Sequence, residues 1–261
     1  LPETLLSKVF TLFYEDKEIL IVCKARGVPT ASARSSRFNN NLVRSVFEYC
    51  PSVAQVRGYR ADDGGLLHRI DNDTEGLVLF AKTQESFNFL LNEAKANRFV
   101  KYYRAHAQIS APLLPYDAVS LTQWQYILDK NIFANSFYSL TTRFVKAEAK
   151  SAKVRAVGKN SRSAKATRCY HTQFLLNSQG NIVNIYCKLR QGFRHQVRAG
   201  LAAVGLPIIG DPLYGNNSKP AENFAFWAVG LSFKHPHSTK PVSYFYNPSN
   251  TNNQEKPLPS E

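Results

Sequence analysis

From Ile19 to Lys24 the chain is apolar and β-branched, and Arg26-Gly27-Val28-Pro29 follows with turn residues, so the pattern predicts a strand and a turn. Asn39-Asn40-Asn41 then supplies helix-capping side chains ahead of Leu42, Val43, Val46, Phe47 and Cys50. That i, i+1, i+4, i+5, i+8 spacing lays one apolar face on a helix that ends before Pro51. A glycine-bearing turn, Asp62-Asp63-Gly64-Gly65, leads through His68-Arg69-Ile70-Asp71 into the fully apolar run Leu77 to Ala81, which reads as a buried strand. Thr83 and Glu85 suit a helix start, and Phe87, Leu90, Leu91 and Ala94 form its stripe. From Phe99 to Ala107 the residues alternate. Phe99, Lys101, Tyr103, Ala105 and Ala107 share one face of a strand, and Val100, Tyr102, Arg104 and His106 the other. Val183, Ile185, Cys187 and Leu189 alternate in the same way. This strand runs through Gln191-Gly192-Phe193-Arg194-His195 into a short helix with Arg198, Leu201 and Ala202, which Gly205 terminates. No internal repeat is visible, and Ser110 to about Lys165 shows no clear period.

The chain has 261 residues, 44% hydrophobic and 20% charged, enough for one large domain or two small ones with a real core. No apolar run approaches the roughly 18 residues of a membrane span. The amino terminus shows no basic region followed by an apolar core, so no secretory signal is expected. Cys23, Cys50, Cys169 and Cys187 make no C-x-x-C pair, and two of them sit in strand-like runs. Buried reduced thiols and a cytoplasmic setting follow. Charge changes the picture most. Lys and Arg total 33 against 19 Asp and Glu, a formal charge of +14, which points to a polyanionic partner. Nucleic acid fits because Lys and Arg gain affinity by displacing phosphate counterions. An anionic membrane surface is the rival, without the amphipathic basic helix it needs.

Three segments carry candidate chemistry. His68-Arg69-Ile70-Asp71-Asn72-Asp73-Thr74-Glu75-Gly76 places polar groups at the mouth of a buried strand, either as a site or as an Asx-type turn with surface charges. In Gly192-Phe193-Arg194-His195-Gln196-Val197-Arg198, His195 and Gln196 at a helix start suit phosphate binding or satisfaction of backbone groups. Arg198, three residues on, needs a carboxylate if it faces inward, and Asp71 is one available partner. Ile209-Gly210-Asp211-Pro212-Leu213-Tyr214-Gly215 reads as mainly architectural. A basic run, with Arg143, Lys146, Lys150, Lys153, Arg155, Lys159, Arg162, Lys165 and Arg168 opposed by Glu148, is either a solvated loop or hairpin or an RNA-facing surface.

Together, His68 to Leu77, Lys101-Tyr102-Tyr103-Arg104-Ala105, Gly192 to Leu201 and Gly210 to Gly215 resemble the RluA-type RNA pseudouridine synthases, in that family's order. Lys24 to Val28 and Leu231-Ser232-Phe233-Lys234-His235-Pro236 extend the resemblance over about residues 9 to 247. It implies an α+β fold around a mixed, mostly antiparallel bent central sheet flanked by helices. The catalytic domain would span 1–247, with a basic and aromatic insertion at 110–165 that diverges from the family, and a flexible polar tail at 248–261. The implied reaction converts uridine in structured ribosomal or transfer RNA to pseudouridine, with no cofactor and no metal, in a protein expected to be monomeric. Asp71 matches the catalytic aspartate, acting on C1′ or as a base. Arg198 matches the arginine that keeps it ionised, and Tyr103 the active-site tyrosine. Arg69 matches the arginine that fills the space of a flipped base, and His68, Arg194, His195, Gln196, Lys153 and Arg155 complete the expected RNA contacts. Two positions depart from the family pattern: Glu75 stands in place of a serine, and Phe193 intrudes where Gly-Arg-x-His-Gln is usual. Two other readings are an RNA-binding homologue with impaired catalysis, acting in RNA folding or ribosome assembly, and a hydrolase using Asp71 with His195.

Overall fold

The computed structural model describes residues 8–32, 40–110, 137–147, 153–158, 168–179, 181–215 and 223–248. Most of the expected 110–165 insertion lies outside them, as do Lys150, Lys159, Arg162, Lys165 and all but the first residue of the expected tail. The fold is α+β, and the chain divides into two compact units, Leu1–Lys101 with Trp227–Glu261, and Tyr102–Phe226.

In the first unit, β1 (Phe10–Glu15), β2 (Ile19–Lys24) and β3 (Glu75–Ala81) pair antiparallel in sequence, and β3 then pairs parallel with β9 (Phe226–Lys234). An antiparallel partner, β10 (Pro241–Phe245), lies on β9. The continuous apolar runs are explained by burial on both strand faces, since every residue of β2 and every residue of β3 after Glu75 is buried. One face packs Ile19, Ile21, Leu77 and Leu79 with Phe87 and Leu90 of helix α3 (Gln84–Lys95) and with Leu231 and Phe233 of β9. Thr83 caps α3, its side chain accepting from the Ser86 amide. Ahead of it come α1 (Leu42–Tyr49), capped by Asn41, and the single turn α2 (Pro51–Ala54). A Cβ at Gly65 would sit 1.9 Å from the Ala81 carbonyl oxygen. Only glycine lets the chain run this close to β3, where the Leu67 amide donates to the Leu79 carbonyl and leads the backbone toward Asp71.

The second unit orders its strands as β4 (Val100–Gln108), β8 (Ile182–Leu189), β7 (Tyr170–Gln179), β5 (Phe137–Lys146) and β6 (Val154–Gly158). The alternation expected from Phe99 to Ala107 is present: Lys101, Tyr103, Ala105 and Ala107 are buried, and Tyr102, Arg104 and His106 are half-buried. The basic run reads as a hairpin where it is described. β5 and β6 pair antiparallel, with Val154 and Ala156 buried and Arg155 exposed between them. Helix α4 (Gln196–Ala203) lays Ala199, Ala202 and Ala203 against Phe144, Val154 and Ala156. Among the described residues, no helix is long and apolar enough to cross a membrane.

Candidate active site

The backbone around Asp71 is fastened on both sides by the segment that follows β2. Before Asp71, the Thr30 hydroxyl donates to the Ile70 carbonyl at 2.7 Å and accepts from the Ile70 amide at 3.3 Å. After it, the Asn72 carbonyl accepts from the Gly27 amide and from Lys24 Nζ, each at 2.9 Å, and the Asp73 carbonyl accepts from Arg26 Nη1 at 2.8 Å. The Thr74 amide closes the turn onto the Asp71 carbonyl at 3.1 Å. Asp71 itself is half-buried. These bonds hold the backbone of Asp71 at a fixed place at the entry to β3, as positioning a reacting group requires.

Lys24, placed by the sequence only in a strand and in the Lys24–Val28 segment, reaches the same loop with its side chain. It ends an apolar strand, it is fully buried, and its ammonium also donates to the carbonyls of Ala25 (2.8 Å) and Val28 (2.7 Å). Burial pushes its pKa down to about 7, against the opposing pull of Asp73 and, more weakly, Asp71. A lysine closing a run meant for the interior was the available signal.

His68, expected as an RNA contact, is occupied inside the protein. Its Nε2 accepts from the Leu79 amide at 3.2 Å, and its ring lies against Phe99. Burial, reinforced by the Lys101 charge, pushes its pKa down to about 3, so it offers no cation to a phosphate. Arg69 is held by Asp63, with Nη2 donating to both carboxylate oxygens at 2.5 and 2.7 Å. Glu75 accepts from the Tyr246 hydroxyl, which gives this departure from the family pattern a structural partner in the same unit.

Tyr103 and Arg198 belong to the second unit. The Tyr103 ring stacks on Phe226 at 5.3 Å and 12°, and Phe226 touches Phe224 at 5.9 Å. Phe224 in turn lies under the Arg198 guanidinium at 5.0 Å. Arg198 is 2% exposed, and its partner within the unit is Asp211, which accepts from Nε and Nη2 at 2.8 Å each. The Ile209–Gly215 loop, read as architectural, therefore also supplies a carboxylate. The same Asp211 accepts from the amides of Leu213 and Tyr214, so the loop and the arginine fix each other.

His195 and Gln196 satisfy protein groups. Gln196 accepts from the Phe193 amide at 3.0 Å and donates to the Thr172 hydroxyl at 2.8 Å, joining α4 to β7. His195 precedes α4 with a left-handed φ of 54°, and its Nδ1 lies 3.0 Å from the Tyr214 hydroxyl, which accepts from the Val154 amide. Phe193 stacks on Phe144 at 4.9 Å and touches Tyr170, so the second departure from the family pattern fills an aromatic cluster. Arg194 and Arg155 are exposed, and Lys153 Nζ lies 5.3 Å from the Tyr214 ring centre. All four cysteines are free thiols. Among the described residues, no three His, Cys, Asp or Glu side chains converge as a metal site.

Residues 18–203 match the RNA pseudouridylate synthase family model. The chain is 25% identical over 262 residues to Ribosomal large subunit pseudouridine synthase D of Neisseria meningitidis serogroup B, covering 96% of this chain and 58% of that protein. It is 26% identical over 251 residues to the uncharacterized RNA pseudouridine synthase YlyB of Bacillus subtilis, covering 96% and 69%. The chain thus spans about three fifths to two thirds of the length of these relatives. Among solved structures, Human RNA Pseudouridylate Synthase Domain Containing 1 shares the fold, with a TM-score of 0.63 at 17% identity over 97% of this chain and 91% of that one. On the family match, which takes in the Asp71 loop, β4 and α4, this chain belongs to the RNA pseudouridylate synthase family.

Proposed function

We propose that this chain isomerises uridine to pseudouridine in structured RNA, with ribosomal RNA of the large subunit as the substrate class. The observation that carries the reading is the Asp71 loop, whose neighbouring carbonyls are tied by Thr30, Gly27, Lys24 and Arg26. The reaction breaks the N1–C1′ bond, turns the uracil and joins C5 to C1′. The C5 proton leaves and N1 gains one, so nothing is added or lost overall. Asp71 serves as the carboxylate, either attacking C1′ as the base departs or taking a sugar proton. Tyr103 offers an aromatic face to the uracil, where stacking is worth roughly 1–3 kcal/mol, and a hydroxyl for the C5 proton. Arg198, held by Asp211 within its own unit, keeps in this reading the charged role that the resemblance gave it. The target uridine must leave its stack at a cost of a few kcal/mol, which the phosphate contacts of a chain with formal charge +14 offset. Substrates in transfer RNA remain part of the proposal, as do a monomeric state and a cytoplasmic setting. The test is incubation of unmodified ribosomal RNA with the chain, followed by carbodiimide mapping of pseudouridine. New stops are expected with the wild type and none with Asp71→Asn or Asp71→Ala, both of which retain RNA binding. Turnover by Asp71→Asn equal to the wild type refutes the assignment. Binding without modification by the wild type supports the RNA-binding homologue instead.

A further inference from the structure

Asp63 is 3% exposed, and the backbone sets its place: its amide donates to the Arg60 carbonyl at 3.1 Å, and its carbonyl accepts from the Leu66 amide at 3.2 Å. Its carboxylate is met by Arg69, whose side chain is 35% exposed. The pairing is one-sided. Both carboxylate oxygens bond to the same nitrogen, Nη2, while Nε and Nη1 make no hydrogen bond among the described residues. A guanidinium carries five N–H donors, so most of its donor edge stays available while its position is fixed. The backbone beneath it is fixed as well, through the His68 ring on the Leu79 amide and Thr30 on Ile70. Arg69 stands two residues before Asp71.

We infer that Asp63 is a positioning residue that anchors Arg69 by one nitrogen, so that the rest of the guanidinium meets RNA beside the Asp71 loop. The inference deepens the proposed function and rests on its reading of Asp71. An unanchored arginine has to surrender its side-chain freedom when RNA arrives. Here that freedom is already surrendered on folding, because a buried carboxylate holds the fork. The sign of the effect is the opposite of simple charge counting. Deleting an acidic group near a polyanion ought to tighten binding, whereas deleting this one releases the arginine and weakens it.

The test uses the full chain carrying Asp71→Asn, which holds RNA without turnover, and filter binding to an unmodified large-subunit ribosomal RNA transcript. Asp63→Asn, Arg69→Gln and the double variant complete a thermodynamic cycle. Arg69→Gln is expected to bind about tenfold more weakly, as loss of a charge-assisted contact to RNA implies. Asp63→Asn is expected to bind several-fold more weakly, and the double variant no more weakly than Arg69→Gln alone. Asp63→Glu keeps the carboxylate and is expected to restore most of the affinity, which separates anchoring from a folding defect. Asp63→Asn binding as tightly as the parent or tighter, losses that multiply in the double variant, or no rescue by an Asp63→Glu protein that melts like the parent each overturn the inference. Wild-type turnover is scored separately. Its absence would count against the role of Asp71 and leave the binding cycle intact.

Discussion

Replacing Lys24 by methionine separates stability from function. Lowering the pKa from an ordinary 10.5 to about 7 means that the charged amine is held roughly 5 kcal/mol less favourably inside the protein than in water. Methionine keeps the apolar stem and removes that cost. It also leaves the carbonyls of Ala25, Val28 and Asn72 without the lysine donor, at roughly 1–3 kcal/mol for each unsatisfied group. Asn72 retains the Gly27 amide, so its share is smaller. These terms offset to within a few kcal/mol, and Lys24→Met is expected to fold, with a melting temperature within about 10 °C of the wild type. The Asp71 loop loses a tether, and a misplacement of about 1 Å costs on the order of a hundredfold in rate. Tritium release from RNA labelled at C5 of uridine is therefore expected to fall about a hundredfold. pH supplies a second check. Between about pH 7 and 10.5 the unfolded lysine keeps its proton while the folded one loses it. This group's contribution to stability thus rises with pH in that window, while the three-donor ammonium is lost. Wild-type activity should fall above about pH 7 as that stability contribution grows, and the stability trend should be missing from Lys24→Met. Turnover by Lys24→Met within about threefold of the wild type would refute the tethering argument.

Asp211→Asn leaves Arg198 buried without its full carboxylate partner. It is expected to cost about 3–5 kcal/mol, read as a lower urea midpoint at unchanged slope. The pKa of His68 is held below its ordinary value, so the unfolded state takes up the proton first, and stability is expected to fall as pH drops from about 6.5 toward 3. Urea melts at pH 7 and pH 4.5 should show that loss reduced in His68→Gln. Gly76→Ala places a Cβ 2.2 Å from the Ala228 carbonyl oxygen at a residue with φ of 134°, and is expected to yield insoluble or strongly destabilised protein in expression and melting assays. RNA affinity is expected to drop by orders of magnitude between about 50 and 200 mM salt in filter binding, and a flat response would contradict phosphate contacts as its source.

Elements whose burial follows a local period could be read from the chain. Ile19–Lys24 is a strand with the expected bounds, Leu42–Tyr49 a helix capped by Asn41, and Phe99 to Ala107 alternates as β4 does. The five-residue strand Val154–Gly158 escaped because Val-Arg-Ala-Val-Gly is too short and weak an alternation to stand out inside a basic run. The family pattern was also legible, because it lies in short contiguous strings such as His68-Arg69-Ile70-Asp71. Polar partnerships were not legible. Lys24 reaches the carbonyl of Asn72, 48 residues away, Arg198 meets Asp211 from a loop read as scaffold, and Arg69 meets Asp63 across a glycine turn. Sequence by itself determined the periodic buried segments and the family to which the short strings belong, since apolar periodicity records contact with a core. Only the tertiary structure decided which charge meets which. A buried charge needs a partner, but the partner's identity depends on which loops the fold brings together, and no local spacing encodes that choice.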